Sequence, residues 1–285
     1  MQRRPNSVVA AALLILTWLG AVMAASSAGC GKTPSIKSQQ YTMQVNGKQR
    51  QYIMKLPDNY DQNRPYRLVF LWHQRGGSAT KIVQGEDPNR GGVVPYYGLP
   101  PLANNSAIFV VPNGLDSGWA NNGGEDTAFF DQMAKTIEAD LCVDTNLRFA
   151  TGFSYGGGMS FNLACSRPKM MRAVAVLSGA QLSGCDGGNE PVAYYAQHGT
   201  SDSVLNVSMG RQLRDRFVKN NGCTPVSEPS PNGGQSVKTE YKNCKAGYPV
   251  TWVIHNGDHN PSQVDQGSST PFAPKNTWDF FSQFT

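Results

Sequence analysis

Residues 147–165 read LRFATGFSYGGGMSFNLAC, a strand-like apolar run followed by glycines and a helix-like run. Within them, residues 152–156 read GFSYG and match G-x-S-x-G, in which the serine occupies a strained turn between a strand and a helix. The pattern alone is common in a chain with 30 glycines. A strand before it and a helix after it make it more specific, and they predict a nucleophile elbow with Ser154 at its tip.

The rest of the chain alternates short apolar runs with helix-like stretches, which is typical of an α/β domain with a mostly parallel sheet flanked by helices. An Asn-Gly turn at 46–47 between two β-prone runs also predicts an N-terminal β-hairpin. The predicted strands are Gln39–Val45, Gln49–Leu56, Arg67–Trp72, Ala107–Pro112, Leu147–Thr151, Ala173–Leu177, Val192–Gln197 and Pro249–His255. The predicted helices are Thr127–Leu141, Tyr155–Cys165, Met209–Asn220 and Thr277–Phe284.

The N-terminus has the pattern of a secretory signal peptide. Arg3 and Arg4 precede an uncharged apolar run from Val8 to Val22, and the small residues 24–29 follow it, with cleavage after Ala24 or Ala28. We therefore expect residues 1–24 to be a signal peptide and residues 25–285 to be one secreted catalytic domain. Loss of the two arginines lowers the net charge from +5 to +3, too weak a field to indicate a nucleic-acid partner. No second long apolar run indicates a membrane span.

An even number of cysteines in a secreted chain predicts disulfides. Cys223 and Cys244 flank a stretch rich in Pro, Ser and Gly, so we expect these two to pair. The pairing of the other four stays open: Cys30, Cys142, Cys165 and Cys185. No C-x-x-C spacing is present, so no metal site is predicted. Asn104 and Asn206 each begin an N-x-S sequon and are candidate glycosylation sites.

A serine hydroxyl needs a general base, and the chain has 4 histidines. Hydrolases with this type of elbow order their triad as serine, acid and histidine along the chain. His73 and His198 come too early for the base. His259 lies in the loop NGDHNP after the last predicted strand and is the preferred base, while His255 ends that strand and is expected to be packed.

For the acid, Asp202 lies in a short loop after a predicted strand, where a carboxylate can orient the imidazole. Asp186 fits a turn and Asp215 fits a solvated helix face, so both are weaker candidates. Asp258 directly precedes the base in the sequence and is badly placed to support it.

The oxyanion donors are predicted at the backbone N–H of Tyr155 and at that of Gln74 or Arg75, which follow a predicted strand. His73 in the same loop is expected to be structural. Aromatic residues in loops at the carboxyl edge of the sheet suit a planar aromatic acid. Trp119, Tyr96 and Tyr97 are the candidate substrate-binding residues.

Five stretches carry a resemblance to a known family: GWANNGGED (118–126), TGFSYGGGMS (151–160), AVLSGAQLSGC (175–185), AYYAQHGTSDSVL (193–205) and TWDFFSQF (277–284). With these motifs the chain resembles the secreted fungal feruloyl esterases of types C and D, relatives of the polyhydroxybutyrate depolymerase-like esterases. The resemblance implies an α/β-hydrolase fold and a Ser154–Asp202–His259 triad without a cofactor. One departure is Gln74, where the family often has a second tryptophan, and it bears on the acyl pocket.

The resemblance implies release of ferulic and related hydroxycinnamic acids from arabinoxylan or pectin. Separately, we expect a monomer with no nucleic-acid or membrane partner. Two other hypotheses stay open from the sequence. The same triad could act on acetylxylan or on a polyhydroxyalkanoate or other polyester. A catalytically inactive protein that binds cell-wall polysaccharide is the third hypothesis.

Overall fold

The computed structural model describes residues 25–86 and 92–285. The predicted signal peptide, residues 1–24, lies outside the described residues. In the described part, nine strands form one sheet. They are β1 (Gln40–Val45), β2 (Lys48–Lys55), β3 (Tyr66–Trp72), β4 (Ala107–Asn113), β5 (Val143–Phe153), β6 (Ala173–Leu177), β7 (Ala193–Gly199), β8 (Val237–Glu240) and β9 (Val250–His255).

The sheet has the order β1-β2-β4-β3-β5-β6-β7-β9-β8. The six strands from β4 to β9 in that order run parallel, whereas β1, β2 and β8 are antiparallel to their neighbours. In the sheet β3 lies between β4 and β5, so the strand order reverses at β3. Ligands bind at such a reversal of strand order, at the carboxyl ends of the strands.

Helices cover both faces of the sheet and bury its apolar side chains. The helices are α1 (Ala79–Gln84), α2 (Leu99–Ala103), α3 (Glu125–Asp140), α4 (Tyr155–Ser166), α5 (Val207–Asn220) and α6 (Phe272–Ser282). One core cluster packs α3, α4 and α5 on the sheet, and the other packs α1, α2 and α6 on the opposite face. The sheet and the helices on its two faces form a three-layer α/β domain. Its central strands β6 and β7 are buried on both faces, as their apolar sequences predict.

The predicted elements are all present, and the differences lie mainly at their ends. Helix α6 begins at Phe272 rather than Thr277, because Pro274 occupies its first turn, where a missing N–H costs nothing. Helix α5 begins at Val207, since the Asn206 side chain accepts the Ser208 N–H. The short strand β8 and the short helices α1 and α2 were not predicted. Residues 99–103, LPPLA, gave no helical signal with two prolines in five residues.

Three disulfides bind the described chain together. Cys223 pairs with Cys244, as the sequence predicted. Of the pairings that the sequence left open, the structure has Cys30–Cys142 and Cys165–Cys185. The first of them joins residues 112 positions apart and ties the N-terminal segment to the start of β5. Among the described residues, no helix is both long and apolar enough to cross a bilayer.

A buried ion pair joins the hairpin to the first turn of α3. The Arg50 guanidinium lies 2.6 Å from Asp126 Oδ1, and the two side chains are 1% and 2% exposed. The other carboxylate oxygen accepts the Asn121 N–H at 2.8 Å. Asn121 Oδ1 in turn accepts the backbone N–H of Asp126 at 3.0 Å. The pair therefore fixes the loop that precedes α3.

We expect Arg50→Met to lower the free energy of unfolding by about 3–5 kcal/mol, because it leaves the Asp126 carboxylate buried without its cation. Lys48→Met is the matched control, since Lys48 pairs with Glu125 across the same two elements but is 57% exposed. An exposed pair contributes about 0–1 kcal/mol. Urea denaturation measures both, and equal losses would contradict the assigned role of burial.

Candidate active site

The predicted site residues lie on loops that follow parallel strands. Ser154 follows β5, Asp202 follows β7, His259 follows β9, and Gln74 and Arg75 follow β3. Since the carboxyl ends of parallel strands meet at one edge of the sheet, these loops are brought together there. The chain thus gathers residues that are up to 185 positions apart in the sequence.

Ser154 has the strained backbone of a nucleophile elbow, with φ 57° and ψ −116°. Its N–H donates to the Leu177 carbonyl on β6 at 2.9 Å, which holds the turn. The glycines on either side are required by packing. A Cβ at Gly156 would lie 2.0 Å from the Trp72 carbonyl oxygen, and one at Gly152 would lie 2.5 Å from the Gly156 carbonyl carbon. Helix α4 can therefore start against the end of β3 only with glycine at both positions.

Asp202 and His259 form a hydrogen-bonded pair beside this elbow. His259 Nδ1 donates to Asp202 Oδ2 at 2.7 Å, which leaves the lone pair of the neutral ring on Nε2. The imidazole packs on the ring of Phe153, the residue before Ser154, at 4.5 Å between centroids. The predicted acid and base are therefore in direct hydrogen-bond contact, and their catalytic roles stay predictions.

The Asp202 carboxylate is buried and well supplied with donors. Its Oδ1 accepts the backbone N–H groups of Val204 at 3.0 Å and Leu205 at 2.7 Å. Burial alone would raise the pKa of Asp202, but hydrogen bonds from His198, His259 and Leu205 outweigh it and hold that pKa well below its usual range. The acid is therefore a carboxylate at neutral and mildly acidic pH.

The competing acids and bases are engaged elsewhere. Asp258 accepts the backbone N–H groups of Ser203 and His259, both at 2.7 Å, and so joins the acid loop to the base loop without touching the imidazole. Asp215 is exposed and accepts a hydrogen bond from Arg214, and Asp186 is also exposed. His255 is buried, and its Nδ1 accepts the Gly257 N–H at 3.2 Å. Burial lowers its pKa to about 4.

His73 is structural, as its position suggested. Its Nδ1–H donates to the Gln74 carbonyl at 2.7 Å, and its Nε2 accepts the Gly114 N–H at 2.9 Å. Burial lowers the pKa of His73 to about 4, so the ring stays neutral and keeps both bonds. It therefore ties the loop after β3 to the loop after β4.

The predicted oxyanion donors lie at the end of β3 and at the first residue of α4. Within the described part of the chain, the backbone N–H groups of Gln74, Arg75 and Tyr155 make no hydrogen bond. The Gln74 side chain is hydrogen-bonded within the protein, because its Nε2 donates to a Glu86 carboxylate oxygen at 2.7 Å. The N–H groups of the elbow and of the β3 loop are thus available for a ligand oxygen.

A pocket of about 510 Å³ opens at Ser154. Its walls come from the loops after β3, β4, β6 and β7 and from the start of α3 and α4. They are Arg75, Leu115, Asp116, Gly118, Ala120, Asn122, Glu125, Asp126, Tyr155, Leu182, Val204 and Leu205. Leu182 and Val204 are 38% and 64% exposed, so apolar side chains stand open to solvent at this site.

The predicted aromatic pocket residues are placed elsewhere. Trp119 is fully buried and donates its Nε1–H to the His73 carbonyl at 2.8 Å. The buried Tyr97 hydroxyl donates to the Trp72 carbonyl at 2.8 Å and accepts the Phe153 N–H at 3.1 Å. Tyr96 packs on Phe109 on the other face of the sheet. None of the three lines the pocket: Trp119 and Tyr97 bond backbone groups at the end of β3, and Tyr96 packs on the opposite face of the sheet.

Sequence reasoning missed Leu182 and Val204 as pocket residues. Both lie in loops directly after buried strands, in the stretches 175–185 and 193–205 that carried the resemblance. The available signal was an apolar residue in a loop at the carboxyl edge of the sheet. Aromatic character alone does not identify such aliphatic residues.

Comparison with known proteins decides the family. The chain is 65% identical to feruloyl esterase D of Neurospora crassa over 277 residues, which cover 95% of this chain and 96% of that protein. It is 47% identical to feruloyl esterase C of Emericella nidulans over 262 residues, 91% of this chain and 92% of that protein. The chain belongs to the feruloyl esterase family. Its members are carboxylic ester hydrolases, and the predicted resemblance is confirmed.

Solved structures confirm the α/β-hydrolase fold of this feruloyl esterase family member. An acetyl xylan esterase from Aspergillus awamori matches with a TM-score of 0.60 at 15% identity, over 86% of this chain and 99% of that one. A CE1 ferulic acid esterase from Anaeromyces mucronatus, in complex with ferulic acid, matches with a TM-score of 0.58 at 15% identity, over 90% and 94%. At 15% identity, these similarities show the fold alone. No family model matches the sequence.

We expect Gly156→Ala to reduce ester hydrolysis by about 100-fold or more, because the new Cβ would push α4 and the Tyr155 N–H away from Trp72. The control is Ser160→Ala on the same buried helix, whose hydroxyl only bonds back to the Gly156 carbonyl. Steady-state kinetics on p-nitrophenyl acetate, with circular dichroism to check folding, measures both. Full activity in a folded Gly156→Ala variant would contradict the packing argument.

Proposed function

We propose that this protein hydrolyses the ester bond between ferulic or related hydroxycinnamic acids and plant cell-wall polysaccharides. The observation that carries the chemistry is the Asp202–His259 hydrogen bond of 2.7 Å, with the imidazole packed beside the Ser154 elbow. High identity to feruloyl esterases C and D supports the acyl group. The likeness to an acetyl xylan esterase supports only the fold, so it does not favour the acetyl alternative.

In the proposed mechanism, Ser154 Oγ attacks the ester carbonyl while His259 Nε2 takes its proton. Asp202 orients the ring through Nδ1 and stabilises the imidazolium that forms. His259 then gives that proton to the sugar oxygen as its bond to the acyl carbon breaks, so the sugar leaves as an alcohol and Ser154 keeps the feruloyl group. Water activated by the same imidazole cleaves that intermediate and releases the acid.

The developing negative oxygen is proposed to accept hydrogen bonds from the N–H of Tyr155 and from that of Gln74 or Arg75. Donors that already point at this position stabilise the transition state without reorganising, and one of them is worth about 2.7–4 kcal/mol. The bonds of His73 to Gln74 and Gly114 support this arrangement by holding the loop after β3.

The acyl group is proposed to lie in the pocket at Ser154. Leu182, Val204 and Leu205 provide an apolar wall, which suits the flat ring of a hydroxycinnamate. Asp116 and Asn122 on the opposite loop provide polar groups for ring hydroxyl and methoxyl substituents.

The proposal includes a secreted, monomeric enzyme in which residues 25–285 form one catalytic domain. Three disulfides support an oxidising, extracellular location. The side chains of Asn104 and Asn206 are exposed, which is compatible with N-glycans at both predicted sites. Feruloylated plant cell-wall polysaccharides and oligosaccharides are the proposed partners, and no cofactor takes part in the proposed steps.

Hydrolysis of methyl ferulate, caffeate, p-coumarate and sinapate by the purified protein tests the function. We expect turnover of these esters, and we expect Ser154→Ala to lower kcat by about 10⁶-fold because it removes the nucleophile. Ser203→Ala is the control for loss of a nearby hydroxyl. Absence of turnover on all four esters, with p-nitrophenyl acetate still cleaved through Ser154, would overturn the proposed acyl group.

The apolar wall is tested by Val204→Ser. We expect kcat/KM for methyl ferulate to fall about tenfold, because a site that loses methyl groups binds an apolar ring less tightly. Hydrolysis of p-nitrophenyl acetate should change little, since its acyl group is small. Val226→Ser is the matched control, because Val226 is 46% exposed and does not line the pocket. Equal losses on both esters would contradict a role for Val204 in acyl selection.

A further inference from the structure

Two imidazoles contact the same oxygen of the acid. His259 Nδ1 lies 2.7 Å from Asp202 Oδ2, and His198 Nε2 lies 3.2 Å from that same atom. His198 Nε2 is also 2.8 Å from the Leu205 carbonyl oxygen. A carbonyl oxygen only accepts, so Nε2 of His198 must carry the hydrogen. The Nε2–H of His198 is therefore shared between the Asp202 carboxylate and the Leu205 carbonyl of the same loop.

The packing around His198 holds this ring in place. The side chain is 1% exposed, at the end of β7, and stacks on Trp252 of β9 with 6.3 Å between centroids. On the other side, α5 approaches through Gly210, where a Cβ would lie 2.3 Å from His198 Nδ1. The ring is thus fixed between a strand and a helix, with its N–H aimed at the acid loop.

We propose that His198 is a positioning residue for the acid of the triad. Its N–H fixes the rotamer of Asp202. It also stabilises the negative charge of the carboxylate, which weakens the attraction between that charge and a protonated His259. Through Leu205 it also holds the loop that carries the pocket wall. This inference rests on the proposed triad.

The expected pH effect follows from the charges around Asp202. The groups that face it are His198 on β7, His255 on β9, and His259 and Asp258 on the loop after β9. Arg214 of α5 lies behind Trp252, 4.9 Å from its ring. Loss of the His198 donor leaves a more basic carboxylate, which stabilises the imidazolium form of His259 more strongly. His259 then becomes an effective base only at higher pH.

The test is the pH profile of kcat/KM on methyl ferulate for His198→Leu and His198→Gln. The acid limb of this profile is the fall of kcat/KM at low pH, where His259 becomes protonated. We expect the acid limb of His198→Leu to lie about one pH unit higher than that of the wild type. We also expect its kcat to fall about tenfold or more, with a smaller change in KM. Glutamine retains an N–H donor, so His198→Gln should return the limb toward that of the wild type. Gly210→Ala displaces the ring without changing its chemistry and should move the limb as His198→Leu does.

Tyr194→Phe is the control, because Tyr194 is buried on the same strand β7 and its ring stacks on Phe217 rather than on His198. Its acid limb should match the wild type. A folded His198→Leu or Gly210→Ala variant with an unmoved limb would overturn the positioning role, as would a Tyr194→Phe variant that shifts equally. Asp202→Asn separates this outcome from failure of the triad itself, since it should lower kcat by about 10⁴-fold if Asp202 is the acid.

Discussion

The approach of Gly156 to the Trp72 carbonyl is the contact on which the site depends. A Cβ there would overlap the end of β3, so the missing side chain lets the first turn of α4 rest directly on the neighbouring strand. That contact gives Ser154 its strained backbone and brings the Tyr155 N–H next to the loop after β3. The strain, of order 1–3 kcal/mol, persists because the surrounding sheet and helix are closely packed.

Around that fixed point, the acid loop is held by electrostatics more than by apolar contact. Two backbone N–H groups and two imidazoles surround the Asp202 carboxylate. These donors keep the carboxylate ionised although it is buried. Asp258 adds a second connection by joining Ser203 to the backbone of His259. The loops after β7 and β9 are therefore joined by two separate sets of hydrogen bonds, one through Asp202 and one through Asp258.

Much of this could be predicted from the sequence, because the decisive signals are local. The apolar strands, the helix stripes and the G-x-S-x-G turn placed Ser154, and chain order then selected Asp202 and His259. The role of His198 could not be read in this way. Its contact with Asp202 depends on the bend of a loop and on the close packing of α5 at Gly210, and neither leaves a pattern along the chain.

The error over the aromatic residues has a related physical cause. Trp119 and Tyr97 lie in loops, where exposure is the ordinary expectation, yet each has a polar atom that satisfies a backbone group behind the site. A buried tryptophan or tyrosine can bury its ring and still donate a hydrogen bond, which makes it suited to bracing a loop. The pocket wall is then left to Leu182 and Val204, whose side chains have no polar group to satisfy. Aromatic rings therefore brace the loops behind the site, while aliphatic side chains supply the exposed apolar part of the pocket lining.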